Sequence, residues 1–483
     1  AQDLNQVPFA LIKKVEILTG GKSTIYGSDA TGGVINFILD KKYSGTKISI
    51  HQGAYQHNNN SYLRNINNDA KSSVFDGINS NYSIIFGSEL SDDSHLLGFI
   101  DYRNVESIRW DDRDIGVCAF RGNASCRLSS ATFMARVQNG SSGGYVSEGG
   151  FSSTSTGFNF GAANFLQRPD KKMNMGFIFN SSLFDETNLT LSFFNLAQES
   201  KAQIGAPLLF RQKINLPCTN PFLSSAQFSS IGCVTSADNI NATVSKRFVE
   251  NSLNRSQFFK TSANRGVIDL KGKIDADWNF GIYFQNSHTS LRYKYLNDIS
   301  LSKVKNALNI NSVGNCISND AGCVPLNLFT TNNNIALIAS NGITQDALDY
   351  VHLDLSIYGE LSEKILAFNF DREIKLKNQS INYFYVLVGG ERRENKLIKL
   401  PDDNFLNEDG AGQQTQHQKM FGKVSVNEAY IQLGLKLKNN FNFDSSFRYS
   451  DYSFGKHAFT YDFGFQYPVS EIFSIKASHQ KSI

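Results

Sequence analysis

The chain has 483 residues, 47 Lys plus Arg against 44 Asp plus Glu, and a formal net charge of +3. So even a balance lacks the concentrated basic face of a nucleic-acid binder, and 8 Pro against 37 Gly is not the make-up of a Pro-rich disordered chain. No run of about eighteen apolar residues occurs, which excludes spanning helices but not spanning strands, whose alternation averages to nothing in a window.

In chain order, residues 11–40 (LIKKVEILTGGKSTIYGSDATGGVINFILD) read as strand, turn, strand. Val15 and Ile17 alternate with Glu16, Gly20-Gly21 permits a turn at positive φ, and Val34 to Leu39 resumes an extended run. The string GGKST invites a phosphate-loop reading. That loop needs its first Gly five places before the Gly-Lys pair, where this chain has Glu16, so the spacing fails.

Beyond residue 45 the dominant signal is period two. Leu189, Leu191 and Phe193 oppose Thr190 and Ser192. Trp278, Phe280, Ile282 and Phe284 oppose Asn279 and Gln285. Leu291, Tyr293 and Tyr295 oppose Arg292 and Lys294. Ile431 to Leu437, Phe441 to Tyr449 and Phe459 to Tyr467 repeat the pattern. With further runs near 46–52, 82–88, 96–104, 173–180, 265–274, 364–371, 381–389 and 472–478, about fourteen strands are expected, many near the 9–11 residues of a tilted membrane strand. Between them lie polar stretches at 104–170, 200–262 and 296–350, read as long loops, with a short helix expected within 335–351.

Two media explain such alternation. In a soluble sandwich the aromatic face is the core; in a membrane barrel it meets lipid and the polar face meets a wet lumen. Charged side chains on the polar faces (Arg292, Lys294, Lys436, Asp444, Arg448, Asp462) and the excess of Phe and Tyr favour the barrel.

Six cysteines fall in three close pairs, each inside a long loop. None is C-x-x-C, so a zinc ribbon or thioredoxin motif is excluded. The neighbour spacing reads as Cys118–Cys126, Cys218–Cys233 and Cys316–Cys323, bridges that order surface loops in an oxidising compartment. The bland alternative is six reduced thiols. Arg109, Trp110, Asp111 and Arg113 form a charged tip read as a ligand or lipopolysaccharide contact, against the plainer reading of a solvated turn. Asp402, Asp403, Glu408 and Asp409 form an acidic loop. The eight His are scattered, and no catalytic set, metal site or cofactor motif emerges.

The segment 11–40 resembles the plug domain of TonB-dependent outer-membrane receptors. The matching positions are Val15-Glu16-Ile17-Leu18, Gly20-Gly21, Ile25-Tyr26-Gly27-Ser28-Asp29-Ala30 and Gly32-Gly33-Val34-Ile35-Asn36-Phe37. Gly390, Glu391 and Arg393 resemble one barrel strand of that family; Glu428, and Arg448 through Tyr452, resemble later ones, whereas NYFY near 381–385 departs from its small-residue pattern.

The resemblance implies an all-β fold: about two thirds of a 22-strand antiparallel transmembrane barrel (46–483), with the C-terminal part of an α+β plug (1–45) inside it. It also implies an interior fragment, lacking the TonB box. The implied function is import of a scarce or large ligand (siderophore, haem, cobalamin, oligosaccharide or peptide) across the outer membrane of a Gram-negative bacterium. The implied partners are TonB with its inner-membrane energising complex, lipid and lipopolysaccharide, for a monomer that is not an enzyme. A signalling receptor of the same build, a passive porin or adhesin, and a soluble sandwich are the alternatives.

Overall fold

The computed structural model describes residues 7–19, 24, 27, 30–60, 71–118, 120–121, 125–184, 186–275, 277–318, 320–332, 335–336, 342–375, 381–437, 441–470 and 472–482. A short antiparallel hairpin comes first: β1 (Ile12–Thr19) pairs with β2 (Gly33–Leu39), Glu16 opposite Asn36. Thirteen strands then form one sheet. They are β3 (Gly45–Asn58), β4 (Ser73–Ser91), β5 (Ser94–Val105), β6 (Asp170–Phe184), β7 (Thr187–Gln203), β8 (Ser256–Lys273) and β9 (Trp278–Ile299), followed by β10 (His352–Lys375), β11 (Ile381–Pro401), β12 (Met420–Leu437), β13 (Asn442–Tyr452), β14 (Lys456–Pro468) and β15 (Ser474–Lys481).

Every neighbour in this sheet is the next labelled strand, and every pairing is antiparallel. Connections alternate in length. Short connections join β4 to β5, β6 to β7 and β8 to β9 at one end, and segments 106–169, 204–255 and 300–351 leave the other. Tight turns at one rim and long excursions at the other are the asymmetry of an outer-membrane barrel.

Burial fixes which face is which. On β14, Ala458, Thr460 and Asp462 are buried, while Phe459 is 48% and Phe465 40% exposed. Ile48, Ile84, Phe177, Ile268, Ile282 and Phe368 are likewise exposed, whereas Ser83, Asp101, Asn174, Gln285, Glu428 and Arg448 are buried. A sheet with rings outside and charges inside is inside-out for water and right for a bilayer around a wet bore.

The pattern inverts part-way up the wall. On β9 the outward residues run Trp278, Phe280, Ile282, Phe284, then Asn286, His288, Ser290, Arg292 and Lys294, through an unbroken register with β8 and β10. On β10, Phe370, Phe368 and Leu366 give way to Lys364, Ser362 and Glu360. On β7, Leu189, Leu191 and Phe193 give way to Asn195. The apolar outward stretch, Trp278–Phe284 on β9, fills most of the roughly 9–11 residues a tilted strand uses to cross hydrocarbon, and the remainder of the strand projects beyond it. Above the change, the inward face becomes apolar: Tyr295, Leu353 and Leu355 are buried around Phe405. Arg292 and Lys294, expected in the lumen, therefore face outward, because the medium outside the strand changes from lipid to water between Phe284 and Lys294.

The long excursions are not loose polar loops. Short strands Arg136–Asn139, Ser142–Ser147 and Gly150–Ser152 from the first excursion join Leu208–Pro217 and Asn239–Arg247 from the second in a five-stranded sheet. Helices Leu301–Leu308 and Gln345–Val351 from the third pack with it in the largest apolar core, which includes Val137, Leu216, Val244, Phe248, Leu308 and Val351. The second helix lies within the stretch where one was expected; the first was read as loop. Each such side chain withdrawn from water contributes about 1.5–3 kcal/mol. Disulfides Cys118–Cys126, Cys218–Cys233 and Cys316–Cys323 tie this outer domain together locally.

Candidate plug–barrel interface

The hairpin β1–β2 and its flanks touch the wall at two separated places. The first is apolar. Leu11, in the turn Phe9–Leu11, is buried against Ile85, Leu97, Phe99 and Ile178, with Leu39 and Tyr43 beside it. Lys172 lies over the Phe9 ring at 5.4 Å, and Asn180 donates to the Lys41 carbonyl at 3.0 Å. Gly87 of β4 is required here, since a Cβ would sit 1.8 Å from the Tyr43 carbonyl oxygen. An apolar island in an otherwise polar bore was not expected from the alternation.

The second contact is polar and buried. Ser446 Oγ donates to Thr24 Oγ1 at 2.7 Å, and Arg448 Nε donates to the Thr24 carbonyl at 2.9 Å. Arg448 Nη1 donates to Glu428 at 2.9 Å, Ser450 donates to the other Glu428 oxygen at 2.6 Å, and the guanidinium lies 4.6 Å over Tyr430. Glu391 stands opposite Glu428 in the β11–β12 register, and Arg393 approaches the place a Gly27 side chain would fill. A carboxylate and a guanidinium this deeply buried hold one another in place. Among the described residues, the Thr24 hydroxyl and carbonyl meet this cluster. Two small cavities, about 140 and 240 Å³, share Asn369 and Tyr430 and run from Thr24 along the inner wall to Asp269 and Lys271.

Within the hairpin, Glu16 accepts from Lys14 at 2.6 Å and from Asn36 at 3.3 Å; Lys14 foremost holds its carboxyl below the usual carboxylate range. Gly33 has φ +146°, and a Cβ there would lie 2.5 Å from the Leu18 carbonyl oxygen, so this motif glycine permits the hairpin's close approach. Gly27 also has positive φ, and Gly32 has open space around it. Gly20, Gly21, Tyr26 and Asp29 lie outside the described residues.

The charged tip is internally satisfied. Arg109 pairs with Asp111, and its backbone N–H donates to Asp112. Arg113 is buried and grips Asp76 with two bonds of 2.8 and 2.5 Å. Trp110 opens the short turn Trp110–Asp112 that holds these groups. In the acidic loop, Asp402 caps the helix Asp403–Leu406, and Asp409 accepts from Ser302 N at 2.7 Å at the start of the helix Leu301–Leu308. Asp298 was not singled out from sequence. It is fully buried beyond the lipid-facing band and accepts from Gly412 N at 2.9 and 3.0 Å, beside Arg255, Tyr295 and Asp409. Burial raises its carboxyl to about 6. Glu391, Glu428 and Arg448 were legible only as strand positions, since nothing in a strand pattern marks which inward charges meet the plug.

A wall of lipid-facing strands with a small hairpin seated in its bore defines a plugged outer-membrane barrel. Residues 1–34 match the family model of the TonB-dependent receptor plug domain. Among solved structures, a mutant ferric enterobactin receptor of Pseudomonas aeruginosa in complex with enterobactin matches at 10% identity and a TM-score of 0.51, over 100% of this chain and 50% of that one. The siderophore receptor PirA of Acinetobacter baumannii matches at 13% identity and 0.50, over 100% and 49%. The chain therefore carries the plug segment of the TonB-dependent receptors and the fold of their barrels. It spans about half the length of the structures it matches.

Proposed function

We propose that the chain is part of a receptor that imports a scarce or bulky ligand across the outer membrane, driven by TonB and its inner-membrane energising complex through a TonB box outside this sequence. Siderophore, haem, cobalamin, oligosaccharide and peptide are the ligand classes to test. We divide it into residues 1–45, the last part of the plug, and 46–483, the wall and its outer domain. The reading is of a monomeric receptor surrounded by lipid and lipopolysaccharide, with no cofactor.

One observation supports it: a hairpin matching the plug family sits against the inner face of a wall whose rings face outward, through an apolar seat at Leu11 and hydrogen bonds at Thr24. The test is ligand-limited growth of a strain deleted for the full-length gene. Loss of growth on one scarce ligand, restored by the gene only when TonB is present, is expected. Uptake that persists without TonB would make the protein a passive pore.

A further inference from the structure

We propose that the outward face of β10–β12 binds the phosphorylated headgroup of an outer-leaflet glycolipid, in a basic patch of Lys364, Arg392, Lys396 and Lys423. This gives the lipopolysaccharide contact proposed above a site; it rests on the membrane-spanning wall and not on what passes through the bore.

Height comes first. Lys364 is the first polar residue outward beyond Leu366 and Phe368 on β10, and Arg392 the first beyond Val388 and Gly390 on β11. Lys423 lies on the same face of β12, past Asn427. The patch therefore stands where hydrocarbon ends on the long-excursion side, with an apolar wall directly below it to take acyl chains.

Charge comes second. Lys396 and Lys423 are opposite one another in the β11–β12 register. Like charges in directly opposite positions repel, and both side chains are exposed. Glu394 is taken by Lys423 at 3.2 Å, and Arg392 donates to the neutral Asn427 at 2.8 Å. Glu394 also stands opposite Lys364 in the β10–β11 register, so one carboxylate sits among four cations, and Lys396 faces Ser362 and Lys423. Two rows further out, Glu360 accepts from Tyr358 and lies beside His288. On the outward face of β6–β8, Glu199 likewise stands between two lysines, opposite Lys171 and paired with Lys260 at 2.7 Å; β10–β12 adds Arg392 and Lys396 to such a trio. A surplus of cations on one arc, at headgroup height, fits a phosphate whose lipid tail lies on the wall beneath.

The experiment is native mass spectrometry of the purified full chain in neutral detergent, titrated with bis-phosphorylated lipid A and with its phosphate-free counterpart. Retention about tenfold stronger for the phosphorylated form is expected, lost in the double variant Lys396→Gln, Lys423→Gln and kept when Lys260→Gln is made on β8. The single variant Lys364→Gln, which removes no repelling pair, should weaken retention by a smaller factor. Lipid-free, the double variant should melt close to the parent, since it loses the exposed Lys423–Glu394 pair together with a repulsion. Equal retention of both lipids, or of parent and double variant, overturns the proposal, as does displacement by excess inorganic phosphate, which would make the patch a soluble-anion site. Ligand uptake does not enter these readouts, so failure here leaves the transport reading standing.

Discussion

The spanning wall and the outer domain of this protein obey opposite rules. In the wall, rings face out and Glu428, Arg448 and Gln285 face in. In the outer domain, Phe248, Leu308 and Val244 are inside, with Lys246 and Glu250 buried beside them as an ion pair. The difference teaches where the free energy resides. The wall is held by strand pairing and the buried Arg448–Glu428 pair, the outer domain by close apolar packing around the Lys246–Glu250 pair, reinforced with disulfides.

Five measurements break or sharpen that contrast. Arg448→Ala leaves Glu428 buried and uncompensated, and should cost about 3–5 kcal/mol, read as earlier thermal unfolding and as proteolysis at the plug hairpin. Replacing both partners, Arg448→Met with Glu428→Leu, should recover most of the loss. In the outer domain Leu308→Ala should cost about 2–5 kcal/mol through the cavity it leaves. Ile282→Ala on the lipid face should cost less, since lipid fills the space; equal losses in calorimetry would contradict the two-medium picture. Removing the Cys218–Cys233 bridge by serine substitution should cost about 3 kcal/mol by the loop-entropy model for a separation of 15. Protease cuts should then appear within 204–255, with the wall strands untouched.

The fourth concerns acid. Asp298 titrates near 6 when folded, above its ordinary 3.8, because burial disfavours its charge; the Gly412 and Ile299 N–H groups and Arg255 pull the other way, and Asp409 adds repulsion. A raised carboxyl stabilises the folded form below the unfolded pKa, and that contribution is lost as pH rises through about 6. The segment 402–419 should therefore dock more firmly at pH 4 than at pH 7, by about 2–3 kcal/mol. Hydrogen exchange of Gly412 against pH reads this, and Asp298→Asn should flatten the profile. Smallest of all, Lys260→Ala on an exposed ion pair should change stability by less than about 1 kcal/mol.

Sequence carried the wall further than the outer domain. Period-two alternation located strands near most of the positions they occupy, and the motif around Gly33 located the plug hairpin. Alternation does not say which medium each face meets, nor that the medium changes along one strand. Trp278 to Phe284 and Leu291 to Tyr295 are both apolar runs, but they point to opposite sides of the same wall. The outer core stayed hidden for another reason. Val137, Leu216, Val244, Leu308 and Val351 come from three excursions far apart in the chain, so no window contains their pattern. The spacing of Val304, Ala307 and Leu308 was a readable helical signal for the first of its helices. The interface charges were present in the strands, but only the fold brings Thr24 to Arg448.

The height of the wall has a consequence at its rim. About ten residues of β9 and β10 rise past the bilayer, and at ~3.3 Å per residue and a 45° tilt they lift the rim by roughly 20 Å. The rim is thus a turret standing clear of the lipid surface, and the disulfide-braced domain forms its crown.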